Sequence, residues 1–153
     1  MAPLKLDWSD VVLVDGSGLS RANVVSPRFL AQLQARLWRS NLNSRWARLL
    51  AVSGVRGTLK SRLRGTVAQQ RVYGKTGSLR DVSALVGTVV GTRRRTVHFA
   101  VVGNHLRSTA ALRSLTDKAV LVMAEELQDC RRVPRPRPRR KNARPRPPRL
   151  VCG

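Results

Sequence analysis

The chain has 153 residues, 42% of them hydrophobic, and a formal net charge of +22. That length suits one domain of ordinary size, and that apolar content excludes a uniformly disordered polyelectrolyte. No apolar run approaches the roughly 20 residues of a membrane-spanning helix, and the start "MAPLKLDWSDVVLV" has no secretory pattern, so the chain as written is expected in the cytoplasm.

In chain order, "DVVLV" (10–14) is a short apolar, β-branched run that predicts a buried strand, stopped by the turn residues "DGSG" with Asp15 shaping the turn. "SPRFLAQLQARLW" predicts a helix with Ser26 as N-cap, Pro27 at the first helical position, and Phe29, Leu30, Leu33 and Leu37 on one face. A shorter helical segment follows around Trp46 to Leu50. "SGVRG" (53–57) reads as a loop, and "TLKSRL" as one or two helical turns. After Gly65, "RVYGKT", "SALVGTVV" and "TVHFAVVG" are three strand-forming runs, the last two joined by a turn at "GTRRR" (91–95). Ser108 to Leu127 reads as a helix with Leu112, Leu115, Ala119, Val122, Met123 and Leu127 on one stripe. Consecutive strands with short links favour an antiparallel sheet with helices packed on it, an α+β fold.

Lys75-Thr76-Gly77, within "VYGKTGSLRDVSALVG", admits two readings. A phosphate-binding loop of the form G-x-x-x-x-G-K-[ST] needs a Gly at 69, which is Gln69, and a helix after the triplet, where the pattern is strand-like. The other reading is the K-T-G motif of penicillin-recognising serine acyl-transferases, which accompanies S-x-x-K and S-x-N motifs. A Lys there draws a substrate carboxylate and stabilises charge near a nucleophile. The Thr hydroxyl bonds the same carboxylate, and the Gly lets a peptide lie close to the strand.

The flanking residues decide between these readings. "VDGSGLSRANVVSPRFLAQL", then "GTLKSRLRGT", then "VYGKTGSLRDVSALVGTV", with Lys75 54 residues after Arg21, resemble the C-terminal part of a D-alanyl-D-alanine carboxypeptidase. The family is the class C low-molecular-mass penicillin-binding proteins, in its type-4 carboxypeptidase/endopeptidase group. The resemblance runs from about Ser9 to Asn104, and more loosely to Leu127. It implies a β-lactamase/transpeptidase-like fold, a cell-envelope location, and action on peptidoglycan stem peptides, with β-lactams as ligands and no cofactor. It also implies that Lys75, Thr76 and Gly77 form the third active-site motif, that Ser78 supplies an oxyanion-hole N–H and a carboxylate contact, and that Arg21, with Leu19 packed beside it, holds the acidic side of the substrate's diamino acid. An Arg suits that task because its planar fork binds carboxylate bidentately.

The chain departs from the family at Ala51 and Arg56, where Pro and an acid are usual, and at Gly74, where Ala is usual. No Ser or Thr has a Lys three residues on, and no Ser has an Asn two residues on. The nucleophile motif and S-x-N are therefore expected upstream of Met1, and the chain is expected to be inactive alone, since no acyl-enzyme forms without the serine.

His98 reads as a half-buried strand residue, and His105 as a residue near a strand end. The two histidines and two cysteines have no metal-ligand spacing, so no metal site is expected. Cys130 and Cys152 are 22 residues apart and are not expected to form a structural disulfide. Trp8, Trp38 and Trp46 read as packing residues or as surface bared in a partial domain. The division expected is a domain over 1–130 and a basic tail over 131–153. Residues 131–149 hold nine Arg, one Lys and six Pro with no acid. Three readings of that tail stay open: a disordered, solvated extension; a polyanion-binding segment, which makes a basic nucleic-acid-binding protein the competing function; and the product of a shifted reading frame in a GC-rich gene.

Overall fold

Val72–Leu79, Val82–Val90 and Thr96–Gly103 combine β-branched residues with tight connections, and they pair as a continuous antiparallel meander. In the computed structural model, which describes residues 4–128, 130–133 and 149–152, a short strand β1 (Ala51–Val52) precedes these three, β2, β3 and β4, and the sheet order is β1-β2-β3-β4. β1 covers little of its neighbour: only Ala51 pairs with Gly74 and Val52 with Tyr73. β2 and β3 pair along their length, from Val72 opposite Val89 to Leu79 opposite Val82.

Alternation along the strands sorts side chains between the two faces. One face carries Val72, Leu85, Val89 and Phe99, which pack with Leu59, Val120, Ala124 and Leu127 into the main core. Helix α3 (Thr109–Glu126) covers this face. The other face carries Tyr73, Thr88 and His98 and is covered by α1 (Pro27–Arg39), with α2 (Asn43–Leu49) beyond it. Trp38 of α1 meets the Tyr73 ring edge-on with centroids 5.2 Å apart. The sheet is thus the middle layer, with helices on both sides, as the α+β reading expects.

Local signals fixed the helix starts. The N–H of Phe29 donates to Ser26 Oγ at 3.1 Å with Pro27 in the first turn, and the N–H of Ala111 donates to Ser108 Oγ at 3.2 Å. "TLKSRL" gives a single 3₁₀ turn, Gly57–Leu59. The β3–β4 link is a tight turn through Thr92–Arg94, with Arg93 at φ 51°.

A polar chain crosses between α1 and the sheet. The indole N–H of Trp46 donates to Gln34 Oε1 at 3.0 Å, Gln34 Nε2 donates to Thr88 Oγ1 at 2.8 Å, and Thr88 Oγ1 lies 2.8 Å from His98 Nδ1. An indole can only donate, which fixes the orientation of the Gln34 amide. Thr88 accepts from Gln34 and shares a second hydrogen bond with His98 Nδ1. Burial, with the Arg39 charge second, pushes the His98 pKa below its ordinary value.

Two sequence expectations are corrected. "DVVLV" is not a buried strand: Val12 makes one isolated bridge to Val24, and Val12, Leu13 and Val14 are 54%, 62% and 62% exposed. A ladder needs a neighbour along its length, and here Asn23 Oδ1 takes the Val14 N–H at 2.7 Å in place of a strand. In α3 the buried stripe is Thr116, Val120, Ala124 and the capping Leu127, one position round from the expected one, and Leu115 and Val122 are exposed. The helix is apolar on more than one side, and its small residues at 116 and 124 let it approach β3 closely.

The expected disordered tail and its polyanion contact fall largely on residues 134–148, which lie outside the described residues. The tail's ends form a two-stranded antiparallel ribbon, β5 (Cys130–Val133) with β6 (Arg149–Cys152), whose register sets Cys130 opposite Cys152. No helix among the described residues is long and apolar enough to cross a membrane.

Candidate active site

The Lys-Thr-Gly-Ser run lies in the second half of β2, past the end of the two-residue β1, so among the described residues no strand pairs with its outer edge, which is open. The direction of its peptide groups follows from the neighbours. The Arg71 carbonyl accepts from Val90 N at 2.8 Å on the β3 side, and the Val72 carbonyl accepts from Ser53 N at 3.0 Å on the β1 side. Strand polar groups alternate from there. The N–H and C=O of Thr76 and Ser78 therefore point to the open edge, and those of Lys75 and Gly77 bind β3. An extended peptide laid along this edge would meet the Ser78 N–H directly.

Two glycines keep the strand pair close. Gly74 is opposite Gly87, and a Cβ on Gly87 would stand 2.6 Å from the Tyr73 carbonyl oxygen.

The side chains divide between the faces. Thr76 and Ser78 point toward the α3 face, where they line a cleft of about 250 Å³ with Thr58, Ser61 and Ser83. Thr76 Oγ1 donates to Thr58 Oγ1 at 2.9 Å. Two guanidinium groups, Arg62 and Arg113, complete the wall. Arg62 is neutralised, with Nη2 2.7 Å and Nε 3.0 Å from Asp117 Oδ1, and Nε 3.3 Å from Oδ2. Lys75 projects from the opposite face, and its Nζ curls over the open edge to donate to the Thr76 carbonyl at 2.8 Å. Thr76 and Ser78 thus share the cleft, while Lys75 reaches the same strand edge from the other side.

Arg21 reaches this strand from 60 residues away. Its Nη2 is 2.9 Å from Oδ1 of Asp81, in the tight β2–β3 turn three residues past Ser78. His105 Nδ1 lies 3.7 Å from the other Asp81 oxygen. The Arg21 hydrogen bond holds the Asp81 carboxyl below the usual range. Among the described residues only its Nη2 is engaged, and the side chain is 60% exposed, so the fork keeps donors for a further carboxylate. Leu19 is exposed nearby in sequence.

The loop that presents Arg21 is built on Asp15. Its carboxylate accepts from Asn23 Nδ2, Ser17 Oγ, Gly18 N and Ser20 N at 2.8–3.0 Å, and these bonds, led by that of Asn23, lower its pKa. All its oxygens serve the turn.

Sequence reasoning did not name Asp81, Thr58, Ser61, Arg62 or Arg113. Each is an ordinary surface residue by composition, and only strand register and helix placement bring them to the Lys-Thr-Gly edge.

An antiparallel sheet layered between helices, with a Lys-Thr-Gly strand open along its outer edge, defines the sheet part of a transpeptidase-like domain of the penicillin-binding kind. The chain belongs to the D-Ala-D-Ala carboxypeptidase 3 (S13) family, whose model matches residues 2–126. It is 35% identical over 130 residues to the D-alanyl-D-alanine carboxypeptidase of Actinomadura sp. (strain R39), covering 82% of this chain and 24% of that protein. It is 34% identical over 120 residues to the D-alanyl-D-alanine carboxypeptidase DacB of Haemophilus influenzae, covering 77% and 25%. The crystal structure of penicillin binding protein 4 (dacB) from H. influenzae superposes with a TM-score of 0.67 at 26% identity, over 80% of this chain and 28% of that one. The Bd3459 endopeptidase of Bdellovibrio bacteriovorus, at 22% identity and a TM-score of 0.65, shares the fold. The chain spans about a quarter of the length of the curated relatives it matches.

Proposed function

We propose that this chain supplies the substrate-binding wall of a serine-type D-Ala-D-Ala carboxypeptidase/endopeptidase acting on peptidoglycan stem peptides in the cell envelope. The observation that carries this is the open edge of β2, where the Thr76 and Ser78 N–H groups face outward. A stem peptide adds along the edge as a further strand. The Ser78 N–H then meets the carbonyl oxygen on which charge develops, Lys75 supplies the nearby cation, and Arg21 takes a carboxylate on the peptide's side chain.

The nucleophile comes from outside the 153 residues, since no S-x-x-K or S-x-N is present in them. Acylation needs that serine: its oxygen bonds to the carbonyl carbon, its proton passes through a base to the departing D-alanine amine, and water later releases the acyl group. The chain alone is a binding element. β-Lactams, which present an acyl group and a carboxylate in similar array, fit the same edge.

The test is a chimera in which the matching quarter of H. influenzae DacB is replaced by residues 2–126 of this chain. It should label with a fluorescent penicillin and release D-alanine from a pentapeptide, and Lys75→Ala within it should abolish both. The isolated chain should do neither. A chimera that unfolds cooperatively yet neither labels nor hydrolyses would refute the reading.

A further inference from the structure

The cleft beside Thr76 and Ser78 carries a cation that the open-edge reading does not use. Arg113 lies on α3, one turn before Asp117. Asp117 is committed to Arg62 through a two-nitrogen pair, so the positive charge of Arg62 is already met. Arg113 has no ion pair or hydrogen bond from any described residue, and it is exposed at the mouth of the same cleft. Five hydroxyl groups line the cleft with it, and no carboxylate does. These hydroxyls, with Thr76 giving up its bond to Thr58, can donate to a ligand beside a guanidinium that has no counter-charge among the described residues, a lining matched to a single carboxylate.

We propose that Arg113 pairs with the C-terminal carboxylate of the bound peptide, with Thr76 and Ser78 as hydroxyl partners, and so sets a preference for a free peptide C-terminus over a blocked one. This rests on β2 being the substrate-binding edge. The division of labour between the two arginines is specific: Arg62 is held by Asp117 and fixes the wall, and Arg113 is the binding residue. A peptide whose terminus is amidated or joined to another chain brings no charge to that position and leaves the guanidinium without its partner.

The experiment uses the full chain and two probes, N-acetyl-D-alanyl-D-alanine and its C-terminal carboxamide, followed by backbone amide shifts of Thr76 and Ser78. The acid should shift these signals saturably and bind about tenfold or more tighter than the carboxamide, the usual scale for a charge-assisted pair. Arg113→Gln should remove that difference by weakening the acid alone, and Arg113→Lys should restore part of it. Added salt should weaken the acid more than the carboxamide. Thermal unfolding of Arg113→Gln should match the parent, since the side chain has no described partner to lose. If the acid binds and Arg113→Gln leaves its affinity unchanged, the proposal fails while the edge reading stands. If neither probe perturbs β2, both fail.

Discussion

Thr88→Val tests the polar chain that ties α1 to the sheet. Thr88 is fully buried and Gln34 nearly so, at 0% and 2% exposure. Val keeps the shape and removes the hydroxyl, so Gln34 Nε2 loses its acceptor in a dry site and His98 Nδ1 loses its hydrogen-bond partner. An unpaired buried amide donor costs about 1–3 kcal/mol. The His98 nitrogen is half-buried and regains some water, so its share is smaller. A total near 2 kcal/mol lowers the thermal midpoint of a domain this size by about 8 °C. Urea unfolding followed by Trp fluorescence reads the same loss as a shifted midpoint with an unchanged slope. The paired change Gln34→Leu with Thr88→Val is expected to cost less than the sum of the singles by about 1 kcal/mol, because apolar groups then face each other. A Thr88→Val chain within about 0.5 kcal/mol of the parent, or strict additivity in the pair, would show that the chain of hydrogen bonds contributes nothing beyond packing.

Three other expectations come from single sites. Burial holds the folded pKa of His98 below its ordinary value of 6.5, so the unfolded chain binds more protons just below that pH. Stability is full above 6.5 and falls as pH drops through that window, and His98→Gln should remove that part of the slope in urea titrations at stepped pH. Gly87→Ala places a methyl 2.6 Å from the Tyr73 carbonyl, a backbone atom that cannot rotate away. Overpacking of about 1–3 kcal/mol exceeds the roughly 0.5–1 kcal/mol gained by replacing a strand glycine, so unfolding should come earlier and the Thr76–Ser78 amide signals should move. Equal stability would mean that β2 and β3 separate freely. Arg21→Gln should raise the Asp81 pKa toward its ordinary 3.8, read by carboxyl carbon shifts, because the hydrogen bond from Arg21 is the first cause of its depression. An unmoved Asp81 titration would place the pair apart in solution.

Much of the scaffold was legible from near-neighbour chemistry. Ser26-Pro27 announced α1, Ser108 announced α3, and "TVHFAVVG" matched β4 residue for residue. The Lys-Thr-Gly motif fell on a strand, as its flanks required. Stripe assignment failed where the local pattern was degenerate. α3 offers apolar residues on more than one side, so the choice of buried side belonged to the sheet. "DVVLV" has the composition of a strand and no partner along its length, and composition cannot supply one. Gln34 was not visible as a buried residue, because its burial depends on Thr88 lying 54 residues away.

By itself the sequence determined the succession of α1, α2, β2, β3, β4 and α3, the caps of α1 and α3, and the Lys75-Thr76-Gly77 strand with its family resemblance, because these rest on periodicity and on residues within a few positions of each other. Tertiary structure decided that, among the described residues, the Lys75–Ser78 edge is unpaired and Arg113 is left without a partner while Asp117 occupies Arg62, that Thr76 and Ser78 share a cleft while Lys75 does not, and that Asp81 holds Arg21. Those facts join segments up to 60 residues apart. Strand register and helix approach set them, and neither leaves a local signature in the sequence.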